Sequence, residues 1–520
     1  MPIIDGDMQS FALTLEKFLE HAAKWHPRAE VVTARDGAVC ARVGYADLRE
    51  RSRGVSAFLC AHGVKLGDRV ATLAWNSQAH IEAWYAIMGM GAVCNTLNPR
   101  LTAAQLAAMA QKSEARVLIV SADLAPLARQ LAQVSGTVEH MLVIDGAAPS
   151  DMRALEPANS EGVEWGAFEE TRPAGLCFTS GTTGAPKGVT YTHRSNYLHT
   201  LRLLQADVLG LTANDSILVA VPMFHANAWG LPFAGPAVGA KLVLPGRTLD
   251  GASLAALINA ENVTIAAAVA TVWLGLVEHL EAHGGDVPSL QRVIVGGAPL
   301  PPALMERIEK RLGASVQTSW GMTELSPGGT FAPPHDPKRA AAISGRPAVG
   351  VDLMVADAAG KPLAHQRNAE GHLFVRGSSV VERYFGEASP ATNADGWFAT
   401  GDLAKIDDGG NLTITGRAKD LIKSGGEWIN PVEIETAVST LPEVSLAAVI
   451  GRQHPKWGER PILLVQTREG DVISDEALLA PLRKSMAPWW IPDAVIRIPN
   501  MPLAATGKID KIRLRAEYGS

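Results

Sequence analysis

The stretch Cys177-Phe-Thr-Ser-Gly-Thr-Thr-Gly-Ala-Pro-Lys-Gly-Val-Thr-Tyr191 constrains this chain more than any other. Two apolar runs flank a turn of Thr, Ser and Gly, which predicts two short strands joined by a glycine-rich loop. Gly181, Gly184 and Gly188 let the backbone turn where a side chain would obstruct it. Successive N–H groups in such a turn make a concavity suited to anions. Thr179, Ser180, Thr182 and Thr183 add hydroxyls, and Lys187 adds a full positive charge. That is chemistry for a polyphosphate, although a Gly/Thr loop with one Lys is about as often a plain surface turn. It is not a Walker A loop, in which the Lys is followed by Ser/Thr and opens a helix. Here Gly188 and a strand follow.

At 520 residues the chain exceeds one hydrophobic core, so two or more domains are expected. A formal net charge of -6 and no basic patch interleaved with aromatics argue against nucleic acid as a partner. The first 18 residues lack a basic segment before an apolar core, and no apolar run reaches the length of a spanning helix. Four cysteines without close pairing, three of them expected to be buried, fit a reducing cytoplasm.

Along the chain, an amphipathic helix is expected over 10–25 and a second after Val43–Leu48. Compact strands at 70–75, 92–97, 115–120 and 140–144 alternate with helices at 79–90 and 102–112. Strands apolar on both faces and separated by helices predict a parallel α/β architecture. A second α/β set follows the central loop, with strands at 216–220, 240–244, 263–267 and 292–295. Beyond about 345, strands separated by Gly- and Asp-rich turns predict a small β subdomain. Residues 416–427 read as a polar, flexible crossing into a compact α+β tail of about a hundred residues. The fold class is therefore α/β: a large N-terminal domain of two packed α/β subdomains plus a small β subdomain, then a small α+β domain.

The segment Thr179–Gly188 resembles the nucleotide-binding signature of the adenylate-forming enzymes: acyl-CoA synthetases, peptide-synthetase adenylation domains and luciferases. Other motifs match this family from about residue 10 to 515. In Ser319-Trp-Gly-Met-Thr-Glu324 the resemblance implies that Trp320, Gly321 and Met322 line the adenine region. It places Thr323 near phosphate and has Glu324 hold Mg²⁺, a hard cation that prefers oxygen ligands. Gly297, Ala298 and Pro299, after the strand at 292–295, match a wall of the adenine slot. Asp402 in Trp397-Phe-Ala-Thr-Gly-Asp402 matches the ribose carboxylate, and Arg417 a ribose or phosphate contact. Lys508 in Pro502-Leu-Ala-Ala-Thr-Gly-Lys-Ile-Asp510 matches the lysine that meets the acyl carboxylate and α-phosphate.

His225 matches a residue near those same groups, with a positioning role. Val221-Pro-Met-Phe-His-Ala-Asn-Ala-Trp-Gly230 resembles the medium- and long-chain fatty acyl-CoA synthetase branch, which makes Trp229 the candidate acyl gate. The same pattern is similar to that of methylthioalkanoate-CoA ligases. Lys419 stands at the family's hinge position, where other branches have Asp. Gly425, Gly426 and Glu427 match the face turned toward the pantetheine path in the second half-reaction.

The resemblance implies a domain over 1–416 with acid and ATP sites and a mobile domain over 417–520. The cofactors implied are ATP, Mg²⁺ and coenzyme A. The implied reaction forms an acyl-adenylate from a medium- or long-chain fatty acid, then a CoA thioester. Alternatives are ligation of methylthiopropionate or an aryl acid, and loading of an acyl carrier protein. A homodimer is compatible with the sequence.

Overall fold

The computed structural model describes residues 7–179, 186–468, 470–504 and 507–520. Ser180, Gly181, Thr182, Thr183 and Gly184 of the central loop lie outside the described residues.

Three sheets make up the large domain. In the seven-stranded sheet the order is Arg153–Ala154, His140–Ile144, Val117–Ser121, Arg69–Leu73, Val93–Thr96, Pro173–Phe178, Gly188–Thr192. Its first six strands run parallel, and Pro173–Phe178 and Gly188–Thr192 form the antiparallel pair that flanks the glycine-rich loop. The strand Val117–Ser121 is buried at every position, which explains why it reads as an unbroken apolar run.

The nine-stranded sheet has a parallel centre of Ser315–Gly321, Arg292–Val295, Ile265–Ala268, Ser216–Val219 and Lys241–Leu244. Its far edge is not built from the second half of the chain. The hairpin Glu30–Arg35/Ala38–Gly44 joins it, with Val31 opposite Leu242. The N-terminal segment thus staples the two α/β layers together. A single apolar cluster unites them, running from Leu15 and Trp84 to Ile217, Phe233 and Ile294.

The N-terminal helix starts at Glu16 rather than near residue 10, because residues 7–13 form no regular structure. Two cysteines are buried, Cys94 and Cys177, rather than three. Cys40 lies on the open edge strand and Cys60 on the outer side of the helix Tyr45–Ala61, both exposed.

A four-stranded antiparallel sheet, Val351–Ala356, Glu370–Gly377, Phe398–Ile406 and Leu412–Arg417, forms the third part. Its core takes in Trp320, Leu325, Cys177 and Tyr191 from the α/β layers. The chain then enters a separate five-stranded sheet at Ile422–Ser424. Here the expected flexible crossing is an ordered hairpin: Ile422–Ser424 pairs with Glu427–Ile429 around Gly425-Gly426. Both glycines have positive φ, 59° and 95°, the requirement of a two-residue primed turn. The small domain is completed by the strand pair Val444–His454/Gly458–Thr467 and the helices Pro431–Val438, Asp475–Ser485 and Lys511–Tyr518. This is the two-domain α/β arrangement expected from the sequence.

Candidate active site

The candidate residues gather where three parts meet: the C-terminal ends of the parallel strands, the antiparallel sheet and the small domain. Ligands of open α/β sheets bind at such strand ends.

On the phosphate side, Thr179 closes the base of the glycine-rich loop, its N–H donating to the Lys187 carbonyl at 2.9 Å. Lys187 is exposed, with Nζ 4.8 Å from the centroid of the Tyr384 ring. Tyr191, the fourth residue of the strand Gly188–Thr192, donates its hydroxyl to the Thr323 carbonyl at 2.8 Å. The loop's exit strand and the Thr323-Glu324 turn are therefore tied directly. Glu324 is 8% exposed, and its Oε1 accepts from the Tyr384 hydroxyl at 2.9 Å. Among the described residues Oε2 accepts no hydrogen bond, and no cluster of three or more His, Cys, Asp and Glu could hold a metal alone. One carboxylate with a free oxygen fits Mg²⁺ shared with substrate phosphates rather than an all-protein cage.

Asp402 is 3% exposed and both its oxygens are engaged. Arg417 Nε lies 2.7 Å from Oδ1, and the Trp320 indole N–H donates to Oδ2 at 2.9 Å. Burial raises this carboxyl, against the opposing pull of Arg417, Trp320, Lys508 and Lys419. The Trp320 ring is packed in the core of the antiparallel subdomain and against Gly329, so its N–H serves to aim Asp402. Gly321 has to be glycine, since a Cβ there would meet the Pro327 carbonyl at 2.3 Å. Met322 is partly buried against the same core. Gly297, Ala298 and Pro299 follow the strand Arg292–Val295, half-buried to exposed.

On the acid side, the turn at Gly296-Gly297 explains itself by what lies on it. A Cβ at Gly296 would come within 3.1 Å of the Trp229 indole, and one at Gly297 within 3.8 Å of Lys508 Cε. The gate candidate and the tail-domain lysine thus flank one small-residue turn. Trp229 ends an unusual segment: Ala226, Asn227, Ala228 and Trp229 all have φ between 44° and 56°. Such left-handed conformations cost roughly 1–2 kcal/mol for each non-Gly residue, so surrounding packing must hold them. His225 precedes this run. Burial, with Lys508 and Arg100 nearby, lowers its imidazole to about 4, so it is neutral at pH 7.

Lys508 sits on a small hairpin, where Leu503 bridges Ile509 and the Ala504 N–H donates to the Lys508 carbonyl at 2.7 Å. The hairpin docks on the helix Ala270–His283, and Thr271 Oγ1 donates to the Gly507 carbonyl at 3.3 Å. Burial and Arg417 lower the Lys508 ammonium, opposed by Asp402 and Glu324. Lys419 lies in the short crossing after Arg417, and its neighbour Asp420 pairs with Arg515 at 2.7 Å. The other predicted face is not at the site: Gly425, Gly426 and Glu427 form the exposed tip of their hairpin.

Comparison with known proteins shows the family. Fold and site together define an adenylate-forming α/β enzyme with a small C-terminal domain. The AMP-binding enzyme family model matches residues 19–385, and the model of the AMP-binding enzyme C-terminal domain matches 433–508. The chain is 38% identical to a 3-methylmercaptopropionyl-CoA ligase of Ruegeria lacuscaerulensis, over 99% of this chain and 98% of the relative. It is 40% identical to a long-chain-fatty-acid–CoA ligase of Thermus thermophilus, over 100% and 98%. ATP-bound MatB from Rhodopseudomonas palustris superposes with a TM-score of 0.87 at 26% identity, covering 98% of this chain and 99% of that one. The chain belongs to the AMP-binding enzyme family, on its acyl-CoA synthetase branch, and is an AMP-forming acid–thiol ligase that uses ATP and coenzyme A. Among the described residues no helix is long and apolar enough to cross a membrane.

Proposed function

We propose that this ligase activates a short carboxylic acid carrying a thioether or an aryl group, and that the residues above divide the work as follows. The triphosphate of ATP lies along the glycine-rich loop, Thr179 to Gly184 with Lys187. The adenine lies between Gly297-Ala298-Pro299 and Trp320-Gly321-Met322, with Thr323 toward phosphate. Asp402 takes the ribose hydroxyls, for which Arg417 must yield one oxygen. Glu324 would hold Mg²⁺, which neutralises phosphate charge when bound.

The acid's carboxylate oxygen attacks the α-phosphorus, and the bond to pyrophosphate breaks. No base is needed, because the carboxylate is already ionised near neutral pH. Lys508 places its ammonium where negative charge builds, in a site largely removed from water. Neutral His225 orients the carboxylate. In the second half-reaction the CoA thiolate attacks the acyl carbonyl and AMP leaves. For this the domain from residue 417 turns about Lys419 and brings Gly425, Gly426 and Glu427 to the site.

The observation that carries this reading is the meeting of Lys508 and Trp229 on the Gly296-Gly297 turn. It sets the lysine beside the candidate gate, whose indole lies against Gly296. Similarity to 3-methylmercaptopropionyl-CoA ligases supports a short thioether acid. A second reading, a medium- or long-chain fatty acid, requires the indole to leave Gly296. The medium- and long-chain relatives, 39% and 40% identical, support it. Each added methylene buried is worth about 0.8 kcal/mol, so pocket depth decides between them.

The test is a ligation screen from acetate to palmitate, with 3-methylmercaptopropionate and aryl acids, reading AMP and thioester. The highest kcat/KM is expected for a short thioether or aryl acid. A maximum at palmitate overturns that choice, and transfer to an acyl carrier protein in preference to CoA overturns the thiol acceptor. A cytoplasmic site of action is part of the same proposal.

A further inference from the structure

The segment 378–385 contains none of the motifs singled out in the sequence, yet the two halves of the proposed phosphate site are sewn together through it. At one end the Val381 N–H donates to the Glu324 carbonyl at 2.7 Å. At the other the Phe385 N–H donates to the Gly188 carbonyl at 2.8 Å, directly after the loop lysine. A Cβ at Gly188 would meet Phe385 Cβ at 2.9 Å, so Gly188 is needed for this approach as much as for the loop's turn.

Between these anchors Tyr384 reaches both functional side chains. Its hydroxyl donates to Glu324 Oε1 at 2.9 Å, while its ring face lies 4.8 Å from Lys187 Nζ. The ring is steadied edge-on by Phe398, with centroids 6.5 Å apart.

The rear of the segment is equally fixed. Arg202, buried at the end of the helix His193–Leu203, donates to the hydroxyls of Ser378 and Ser379 at 2.6 Å each. Ser326, two residues beyond Glu324, donates to the Ser379 carbonyl at 3.0 Å. A loop merely crossing the surface does not need a buried guanidinium at its root.

We propose that Tyr384 is a positioning residue for the metal–phosphate site: through its hydroxyl it aims the Glu324 carboxylate, and through its ring it parks the Lys187 ammonium beside the incoming phosphates. This rests on the reading above that Glu324 holds Mg²⁺ and Lys187 meets the phosphates. The two functions are chemically separable. The hydroxyl occupies one carboxylate oxygen and turns the other outward, as partners of metal ligands commonly do. The ring attracts the ammonium through its π face, which needs no hydroxyl.

The experiment titrates the full-length enzyme with a non-hydrolysable ATP analogue, without acid or CoA, across a magnesium series. It compares wild type, Tyr384→Phe, Tyr384→Leu and Glu324→Gln by calorimetry. Tyr384→Phe is expected to raise the magnesium concentration for half-maximal tightening about tenfold. It leaves the metal-free nucleotide affinity within about twofold, because the ring is kept. Tyr384→Leu is expected to show the same magnesium shift and, in addition, a metal-free affinity about threefold weaker.

Wild-type magnesium dependence in Tyr384→Phe, with a shift in Glu324→Gln, overturns the positioning role. An equal loss with and without magnesium in Tyr384→Phe also overturns it, since that marks a merely structural tyrosine. Unchanged magnesium dependence in Glu324→Gln overturns the underlying assignment of the metal carboxylate, and the positioning role with it.

Discussion

The small domain has two faces, and they are in opposite circumstances. Lys508 is docked: its ammonium is desolvated, and its hairpin is hydrogen-bonded to Thr271 of the large domain. The Gly425-Gly426-Glu427 hairpin is undocked, with Trp428 beside it 55% exposed. The Gly425-Gly426 hairpin is strand-paired on both sides and Leu503 pairs with Ile509 beside Lys508, so each face is held within the small domain. The contrast teaches that a reaction needing both faces must move the domain as a body. The proposed hinge, Lys419, lies in the crossing between Arg417, the end of one sheet, and Ile422, the start of the next.

Replacing Lys508 by Ala should break the contrast most strongly. Acid-dependent pyrophosphate formation is expected to fall about 10²–10³-fold, the size of a lost preorganised electrostatic partner. Thioester formation from supplied acyl-adenylate should change less than about threefold on the same basis, since no charge is built at phosphorus in that step. Equal losses in both half-reactions would assign Lys508 to the fold instead.

Gly425→Val tests the opposite face. Its φ of 59° is strained for a β-branched residue, and a Cβ would meet the Trp457 ring at 2.6 Å. Distorting the turn should slow thioester formation about tenfold, the equivalent of roughly 1–2 kcal/mol of backbone strain. Adenylation should be untouched, and stopped-flow measurement of each half-reaction separates the two. A deficit in adenylation would place this hairpin at the first step.

The smallest effect concerns acid stability. His80 and His225 are lowered to about 4, and His193 and His199 to about 3, chiefly by burial; all belong to the large domain. Each is neutral when folded yet protonates near 6.5 when unfolded, so between these values the unfolded state binds more protons. Stability contributed by these groups is present above about pH 6.5 and is lost as pH falls toward 4 and 3. The small domain has one histidine, His454, at its surface. Hydrogen exchange at pH 7 and 5 should therefore show the large domain losing protection first. Equal loss in both domains would contradict this.

Much of this was legible in the sequence, for identifiable reasons. Strands buried on both faces, such as Val117–Ser121 and Arg292–Val295, read as continuous apolar runs, and the site motifs sit in the turns that end strands. The hairpin Glu30–Gly44 carries no sign that it will pair across to Leu242 in the other layer, since such a contact leaves no local pattern. The helix His193–Leu203 has no apolar stripe to announce it, because its buried side includes His193, Asn196, His199 and Arg202, of which His199 and Arg202 bond to Gly328 and to Ser378 and Ser379. Tyr384 stands in a loop without periodicity. The left-handed run at Ala226–Trp229 has no glycine within it to announce its backbone.

The central claim, that the docked lysine marks the adenylating orientation and that the domain must leave it to make thioester, has a direct test. Thr271→Cys/Gly507→Cys, with exposed Cys40 and Cys60 replaced by Ser, joins two positions where a Cβ at 507 lies 3.5 Å from Thr271 Oγ1; because Gly507 has φ 82°, the reduced double variant is the reference for both half-reactions. Oxidised, this enzyme is predicted to release one equivalent of pyrophosphate per site and to form no thioester until a reductant frees the domain. Sustained thioester turnover by the fully cross-linked enzyme would contradict the account.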